Sequence, residues 1–390
     1  MLDDSATLIL IENGEVYAPE PQGQQDVLLI NDRIVRLGKT DRHALAALRL
    51  NLQIIDAAGC VVTPGFIDPH QHLLGGSGER GFSTQTPEIF LNEIVSAGIT
   101  TVVGCLGVDT TTKTMPGLLA RAKALREEGL TAFIYSGGYN VPPVTLTGSV
   151  RDDLIFIEEV IGAGEIAIAD ERGTQPSLQE LARLVSDAYV GGLLSRKSGI
   201  THFHVGDRPE RLKLLRALLQ HYAIKPEWLY PTHVERNENL MQEAIRLAQE
   251  GSFIDVDTME EDLPKWLRFY LDNKGRTDRL TVSSDAAISS PRTLYQQFRA
   301  CVLAHGFPLE LVLTLLTANT AQALRLEDKG RLAPGRAADV LVLRRDSLEL
   351  VEVIAGGRRM LSAGQVQVRE KFLEHSNRRI NLYGGKQSQA

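Results

Sequence analysis

Cysteine is scarce in this chain of 390 residues: Cys60, Cys105 and Cys301 are its only three, far apart and without a Cys-x-x-Cys spacing. An odd, scattered set excludes a disulfide framework and points to a reducing compartment. Long apolar runs are missing too. No stretch approaches the roughly 20 uninterrupted apolar residues of a transmembrane helix. The opening MLDDSATLILIENG carries acidic residues where a signal peptide needs basic ones. The expected location is therefore the cytoplasm, with no membrane partner. Dense Lys/Arg blocks are also absent: 42 Lys and Arg stand against 49 Asp and Glu, a net charge of −7. Nucleic acid is not an expected partner of such a surface. The basic residues of NRRINLYGGK are few and terminal, and read as a solvated tail.

What is present is ordinary globular composition, 43% hydrophobic and 23% charged. The length suits one large domain with a smaller one. Residues 1–63 read as strands: TLILIENGEVY and DVLLINDRIVRLG pair apolar runs with Asn-Gly and Asn-Asp turn signals. Residues 329–372 return to that texture, with Gly-Gly and Ala-Gly turns and no helical period. Between them the short apolar runs TTVVGCLG, TAFIYSGG, IAIADE, GITHFHVGD, GSFIDVDT and RLTVSSDAA alternate with amphipathic stretches. MPGLLARAKALREEG, SLQELARLVSDAYVGGLL and ENLMQEAIRLAQEG carry apolar residues at helical spacing. Strand–helix alternation over residues 64–328 predicts an α/β fold, a (β/α)8 TIM-like barrel. The two flanking segments predict a small β-sandwich built from both chain ends, with residues 373–390 as a tail.

A barrel presents its chemistry at the C-terminal ends of its strands. There the sequence places His70 and His72 in GFIDPHQHLLGGSGERG, His202 and His204 in GITHFHVGD, His233 in PTHVERN and Asp285 in VSSDAAISS. Residues two apart on a strand share a face, so each His-x-His pair could converge on one point. Glu165 opens the run before Arg172 in VIGAGEIAIADERG. Nitrogen and oxygen donors of this kind suit a zinc-like site. Each residue alone has a plainer explanation, Asp285 as a helix N-cap for one, but together they recur at one end of successive predicted strands.

With PGFIDPHQH, SSDA and the return strand GRLAPGRAADVLVL, the chain resembles the amidohydrolase superfamily. PGFIDPHQHLLGGSGERGFSTQTPE, VIGAGEIAIADER, GGLLSRKSGITHFHVGD, PTHVERN and SSDAAISS resemble bacterial isoaspartyl dipeptidases over nearly the whole chain. That resemblance implies two divalent cations, zinc being expected. His70 and His72 would hold the more buried ion, and His204 and His233 the second, with Asp285 touching metal and moving the proton. It implies Tyr139 as hydrogen-bond donor at the reacting carbonyl and Glu79 as acceptor of the substrate's α-amino group. Arg172 and Arg236 would grip carboxylate, with Ser289 a further polar contact. Where the family bridges its metals with a carbamylated lysine, this chain has Glu165, whose two oxygens can do the same without CO₂ but leave the metal count open. Val108 stands where the family tends to a polar residue.

The reaction so implied is metal-dependent hydrolysis of β-aspartyl dipeptides, with a metal-bridging hydroxide as nucleophile and Asp285 as general acid and base. The partners implied are a small dipeptide and further copies of the chain. The rival within the superfamily is a cyclic-amide or N-acyl hydrolase. The rival outside enzymology is a metal-free scaffold, which the full set of ligand types argues against. GGSGE is no phosphate cradle, since no Gly-Lys-Ser/Thr follows it.

Overall fold

The computed structural model describes residues 7–377. Most of the expected tail, with nearly all of NRRINLYGGK, lies outside these residues. The N-terminal strands are Thr7–Tyr17 (β1), Pro21–Ile30 (β2), Arg33–Leu37 (β3), Asn51–Asp56 (β4) and Cys60–Pro64 (β5). Eight central strands follow: Phe66–Gln71 (β6), Ile99–Gly104 (β7), Thr131–Ser136 (β8), Val160–Ile168 (β9), Ile200–Val205 (β10), Leu229–Thr232 (β11), Ile254–Asp257 (β12) and Leu280–Ser283 (β13). The chain closes with Val340–Arg344 (β14), Leu350–Ala355 (β15), Arg358–Ser362 (β16) and Gln365–Val366 (β17).

Both ends of the chain share one sheet. Its order is β17-β16-β15-β14-β5-β1-β2-β3, with β4 also paired to β1. The junction is the antiparallel pair β14–β5, running from Val340 opposite Pro64 to Arg344 opposite Cys60. The expected sandwich is therefore hydrogen-bonded as a single nine-stranded ladder. Its inward residues, among them Ile9, Ile11, Val27, Leu29, Val62, Val340 and Ile354, make a core of their own.

The central strands run parallel and are buried on both faces, which is why they read as continuous apolar runs rather than alternating ones. The three helices expected from sequence are Met115–Glu128, Leu178–Ser195 and Glu238–Glu250. Their ends follow from local chemistry. Thr114, Ser177 and Asn237 cap the N-termini with side-chain oxygens, and Gly129 and Gly251 end two of the helices at positive φ. In Glu238–Glu250 the face of Leu240, Ala244, Leu247 and Ala248 is fully buried, each leucine contributing about 1.5–3 kcal/mol.

The backbone ladder differs from an unbroken eight-stranded ring. β6 to β11 form a six-stranded sheet, and β12 and β13 a separate pair. Side chains bridge the two seams, joined at the second by a backbone bond. Asp255 on β12 accepts from Thr232 on β11 at 2.9 Å, and from Ser283 and Thr281 on β13 at 2.6 and 2.7 Å. Asp68 on β6 accepts the Ser284 N–H just beyond β13 at 3.1 Å, and His72 N donates to Ala286 O at 2.9 Å. Burial pushes the Asp68 carboxyl up to about 6 despite those donors.

Candidate metal centre and active site

Every central strand delivers a polar side chain to one end. β6 brings His70 and His72; β7 is followed by Cys105 and β8 by Tyr139; β9 carries Glu165 and leads to Asp170 and Arg172; β10 carries His204; β11 is followed by His233; β12 ends in Asp257; Asp285 follows β13.

Glu165 is the hub, fully buried in the middle of β9 rather than opening a strand. Pairing between β9 and β10 runs Thr201 opposite Ala163, then Phe203 opposite Ile166. Two β9 residues, Gly164 and Glu165, thus face one residue of β10, a bulge that re-aims the side chain inward. The site demands glycine at 164: its φ is +139°, and a Cβ there would lie 2.6 Å from His202 O.

Four histidines surround that carboxylate. His70 Nε2 is 2.8 Å from Glu165 Oε2, and His204 Nδ1 is 2.6 Å from Oε1. His72 Nε2 lies 3.5 Å from Oε2 and His233 Nε2 3.5 Å from Oε1. Asp285 Oδ1 closes the group, 3.4 Å from His70 Nε2 and 3.2 Å from His72 Nε2. One donor atom each from His70, His72, Cys105 and Glu165 can be chosen with all four within 4.8 Å of one another; the same holds for Glu165, His204 and His233, and for His233, Asp257 and Asp285. Atoms sharing one tetrahedral zinc at about 2.0–2.3 Å lie about 3.3–3.6 Å apart. The donor set and most of its spacings therefore fit divalent cations, while the two shortest approaches are hydrogen-bond lengths.

The electrostatics agree. Burial alone would raise the Glu165 carboxyl, but the His70 charge and hydrogen bonds from His204, His233 and His70 hold it well below the usual range. Burial also works against charge on His233, yet its bonds to Asp257 and Glu165 push it up to about 9. Asp285 is held low, the His70 charge and the His72 hydrogen bond overcoming burial. So many buried ionisable groups at mutual contact are an arrangement that metal ions stabilise.

An outer layer orients the ring nitrogens. His233 Nδ1 donates to Asp257 at 2.6 Å, and His204 Nε2 lies 2.9 Å from Asp170 Oδ2. Each imidazole thereby presents its other nitrogen to Glu165, the carboxylate–histidine pattern of metal sites. His233 and Asp285 sit at φ +59° and +47°, a left-handed backbone seldom found outside glycine. Asp285 caps no helix, since Arg292–Arg299 begins after Pro291. His202 is a different case. It packs against His70, Tyr135 and Tyr230, and neither ring nitrogen has a hydrogen-bond partner among the described residues.

The residues expected to meet substrate gather near the same end. Tyr139 OH is 2.8 Å from His204 Nδ1. Arg172 donates to Asp170 at 2.6 Å and to Glu79 at 2.8 Å, so two of the expected substrate contacts pair with each other. Arg236 donates to Val205 O at 2.8 Å and faces Asp207 at 3.6 Å. Ser289 Oγ is buried and has no hydrogen-bond partner among the described residues. Cys105, Asp170 and Asp257 were missed by reasoning from sequence. All three follow an apolar run, GCLG, IAIAD and FIDVD, where the rule that singled out the histidines applies equally.

The amidohydrolase family profile matches residues 195–360. Among curated proteins, the chain is 25% identical to adenine deaminase 2 of Shouchella clausii over 356 residues, 86% of this chain and 56% of that protein. It spans less than two-thirds of the length of the adenine deaminases it matches. It is 23% identical to the dihydroorotase of Clostridium acetobutylicum, covering 87% of this chain and 90% of that one. The β-aspartyl dipeptidase of the thermophilic keratin degrader Fervidobacterium islandicum AW-1 superposes with a TM-score of 0.88 at 37% identity, over 92% of this chain and 98% of that one. The same protein in complex with β-Asp-Leu gives 0.87 and 36%. A match of that depth along both chains makes this protein a hydrolytic enzyme of the amidohydrolase superfamily, a member of its β-aspartyl (isoaspartyl) dipeptidase family.

Proposed function

We propose that the protein hydrolyses the isopeptide bond of β-aspartyl dipeptides in a centre made by His70, His72, Glu165, His204, His233 and Asp285. The observation that carries this reading is the near full-length likeness to the Fervidobacterium enzyme, whose complex with β-Asp-Leu is known. The catalytic unit is residues 64–328, read as a closed eight-stranded barrel whose two seams are side-chain bridged. Two divalent cations, zinc by the donor set, would supply an activated water and polarise the scissile carbonyl.

The chain's own groups do the rest. Asp285 accepts the proton of the attacking water and returns it to the leaving amine. Burial keeps the Tyr139 phenol well above its usual range, so it stays protonated and donates to the oxyanion. Glu79 receives the α-amino group, and Arg172 and Arg236 take carboxylates with their forked donors. In this structure Glu79 and Arg172 neutralise each other. A zwitterionic dipeptide, offering one charge to each, substitutes for that pair without leaving either unpaired. Ser289 Oγ, free of other bonds, is the additional polar contact. A cation-hydrolase set of this kind also serves cyclic amides and aminopurines, and the dihydroorotase and adenine deaminase likenesses keep that second reading in view.

The test is a substrate panel on one metal-loaded preparation. β-Asp-Leu should be cleaved with kcat/KM at least about 100-fold above dihydroorotate, adenine and α-Asp-Leu. Preference for dihydroorotate or adenine would replace the dipeptidase reading with the second one.

A further inference from the structure

Cys105 takes no part in the chemistry proposed above, yet it stands inside the donor cluster. It directly follows β7, is 1% exposed, and its Sγ lies 3.8 Å from Glu165 Oε2 and 3.7 Å from His72 Nδ1. The other cysteines are elsewhere: Cys60 packs in the core of the terminal sheet, and Cys301 lies in the π-helical turn Ala300–Ala304. Cys105 Sγ also approaches Gln71 O at 3.6 Å, a weak contact for a thiol.

The geometry points to Cys105 as a further ligand of the cation held by His70 and His72, bound as thiolate. The inference rests on the metal-centre reading above. Three observations carry it. Cys105 joins His70, His72 and Glu165 in a group that is, among the described residues, the one set of four whose donor atoms all fall within 4.8 Å. Its 3.8 Å separation from Glu165 Oε2 is close to the roughly 3.6 Å edge between sulfur and oxygen on one tetrahedral zinc. Its location is also that of His72 and His233, the first residue past a central strand at the same end of the sheet. Binding exchanges the S–H proton for the cation, and the proton leaves to solvent. The neighbouring Glu165 Oε2 thus has a sulfur donor on one side and His70 Nε2 on the other. A thiolate in a nitrogen and oxygen site shifts its preference towards soft and borderline ions such as Cd²⁺, Co²⁺ and Zn²⁺, and away from Mn²⁺.

The test reads sulfur ligation without using turnover. The full-length protein is stripped under reducing conditions, loaded with Co²⁺ to a measured stoichiometry, and its near-ultraviolet absorption recorded beside Cys105→Ser and Cys60→Ser. The expected result is a thiolate-to-cobalt charge-transfer band in the parent and in Cys60→Ser that is missing from Cys105→Ser. Chelator competition should also show the Cd²⁺ affinity of Cys105→Ser falling about ten-fold or more relative to its Mn²⁺ affinity. The parent spectrum decides the matter even if a variant does not fold. A parent loaded with cobalt but without the band overturns Cys105 as ligand and leaves the metal centre standing. A parent that takes up no cobalt overturns both.

Discussion

At the scale of single residues, the site is organised by pairs in which one side chain fixes the proton or orientation of another. His233 is the clearest case: Asp257 holds Nδ1 at 2.6 Å, so Nε2 is left to face Glu165. Asp257→Asn should weaken metal binding about 10–100-fold while leaving the fold intact, as read by chelator competition and circular dichroism. Glu165→Ala should lose metal, and added bicarbonate should not restore it. Bicarbonate dependence in the parent would point to a carbamylated lysine in place of this carboxylate. If Arg236 and Glu79 bind substrate as proposed, Arg236→Met and Glu79→Gln each remove a charge-assisted contact worth about 1.5–3 kcal/mol. The expected loss is one to two orders of magnitude in kcat/KM for β-Asp-Leu with metal content unchanged; parental rates in both would remove these residues from substrate binding. His70, His72, His204, His233 and Asp285 were legible because histidine and aspartate stand out at the ends of apolar runs. Cys105 was not, because a buried cysteine reads first as a small apolar residue. Asp170 and Asp257 were not, because an Asp after a strand reads as a turn.

At the scale of elements, β9 is the strand on which the centre depends. Its bulge carries Glu165 inward, and its start is anchored by Glu159, which bonds Lys123 at 2.6 Å and faces Arg126 of helix Met115–Glu128 at 3.6 Å. Burial raises the Glu159 carboxyl, but the Lys123 hydrogen bond and the two cations outweigh it and leave it below its ordinary value of 4.5. A carboxylate depressed on folding stabilises the protein above its unfolded pKa, and that contribution is lost as pH falls through the folded value. Glu159→Gln should therefore cost about 1–3 kcal/mol at pH 7, with the difference in Tm closing below pH 4.5. A gap that stays constant down to pH 3 would show that packing, not charge, is what Glu159 supplies. Three of the helices and the alternation of strand with helix were legible from periodicity. The bulge was not, since an extra residue in a strand leaves the apolar run unbroken. Nor were the seams between β11 and β12, bridged by Asp255, and between β13 and β6, bridged by Asp68 and the backbone bond from His72 N to Ala286 O.

At the scale of the whole molecule, two chain ends nearly 300 residues apart meet in the β14–β5 pair and make one sheet beside the parallel strands that carry the chemistry. Among the described residues, no helix is long and apolar enough to cross a membrane. The sequence pattern at both ends announced strands and a shared β-sandwich; the register of the β14–β5 pair is a long-range choice that local turn signals do not encode. The central claim is that the cluster around Glu165 is a metal centre that cleaves β-aspartyl dipeptides. It is tested most directly by titrating chelator-stripped protein with Zn²⁺ while following β-Asp-Leu hydrolysis and bound metal together. The predicted result is negligible activity without metal, rising in step with occupancy to a plateau at two ions per chain in the parent, and no recovery in the double variant His70→Ala/His72→Ala. Full activity in the stripped protein, or parental activity in that variant, would contradict it.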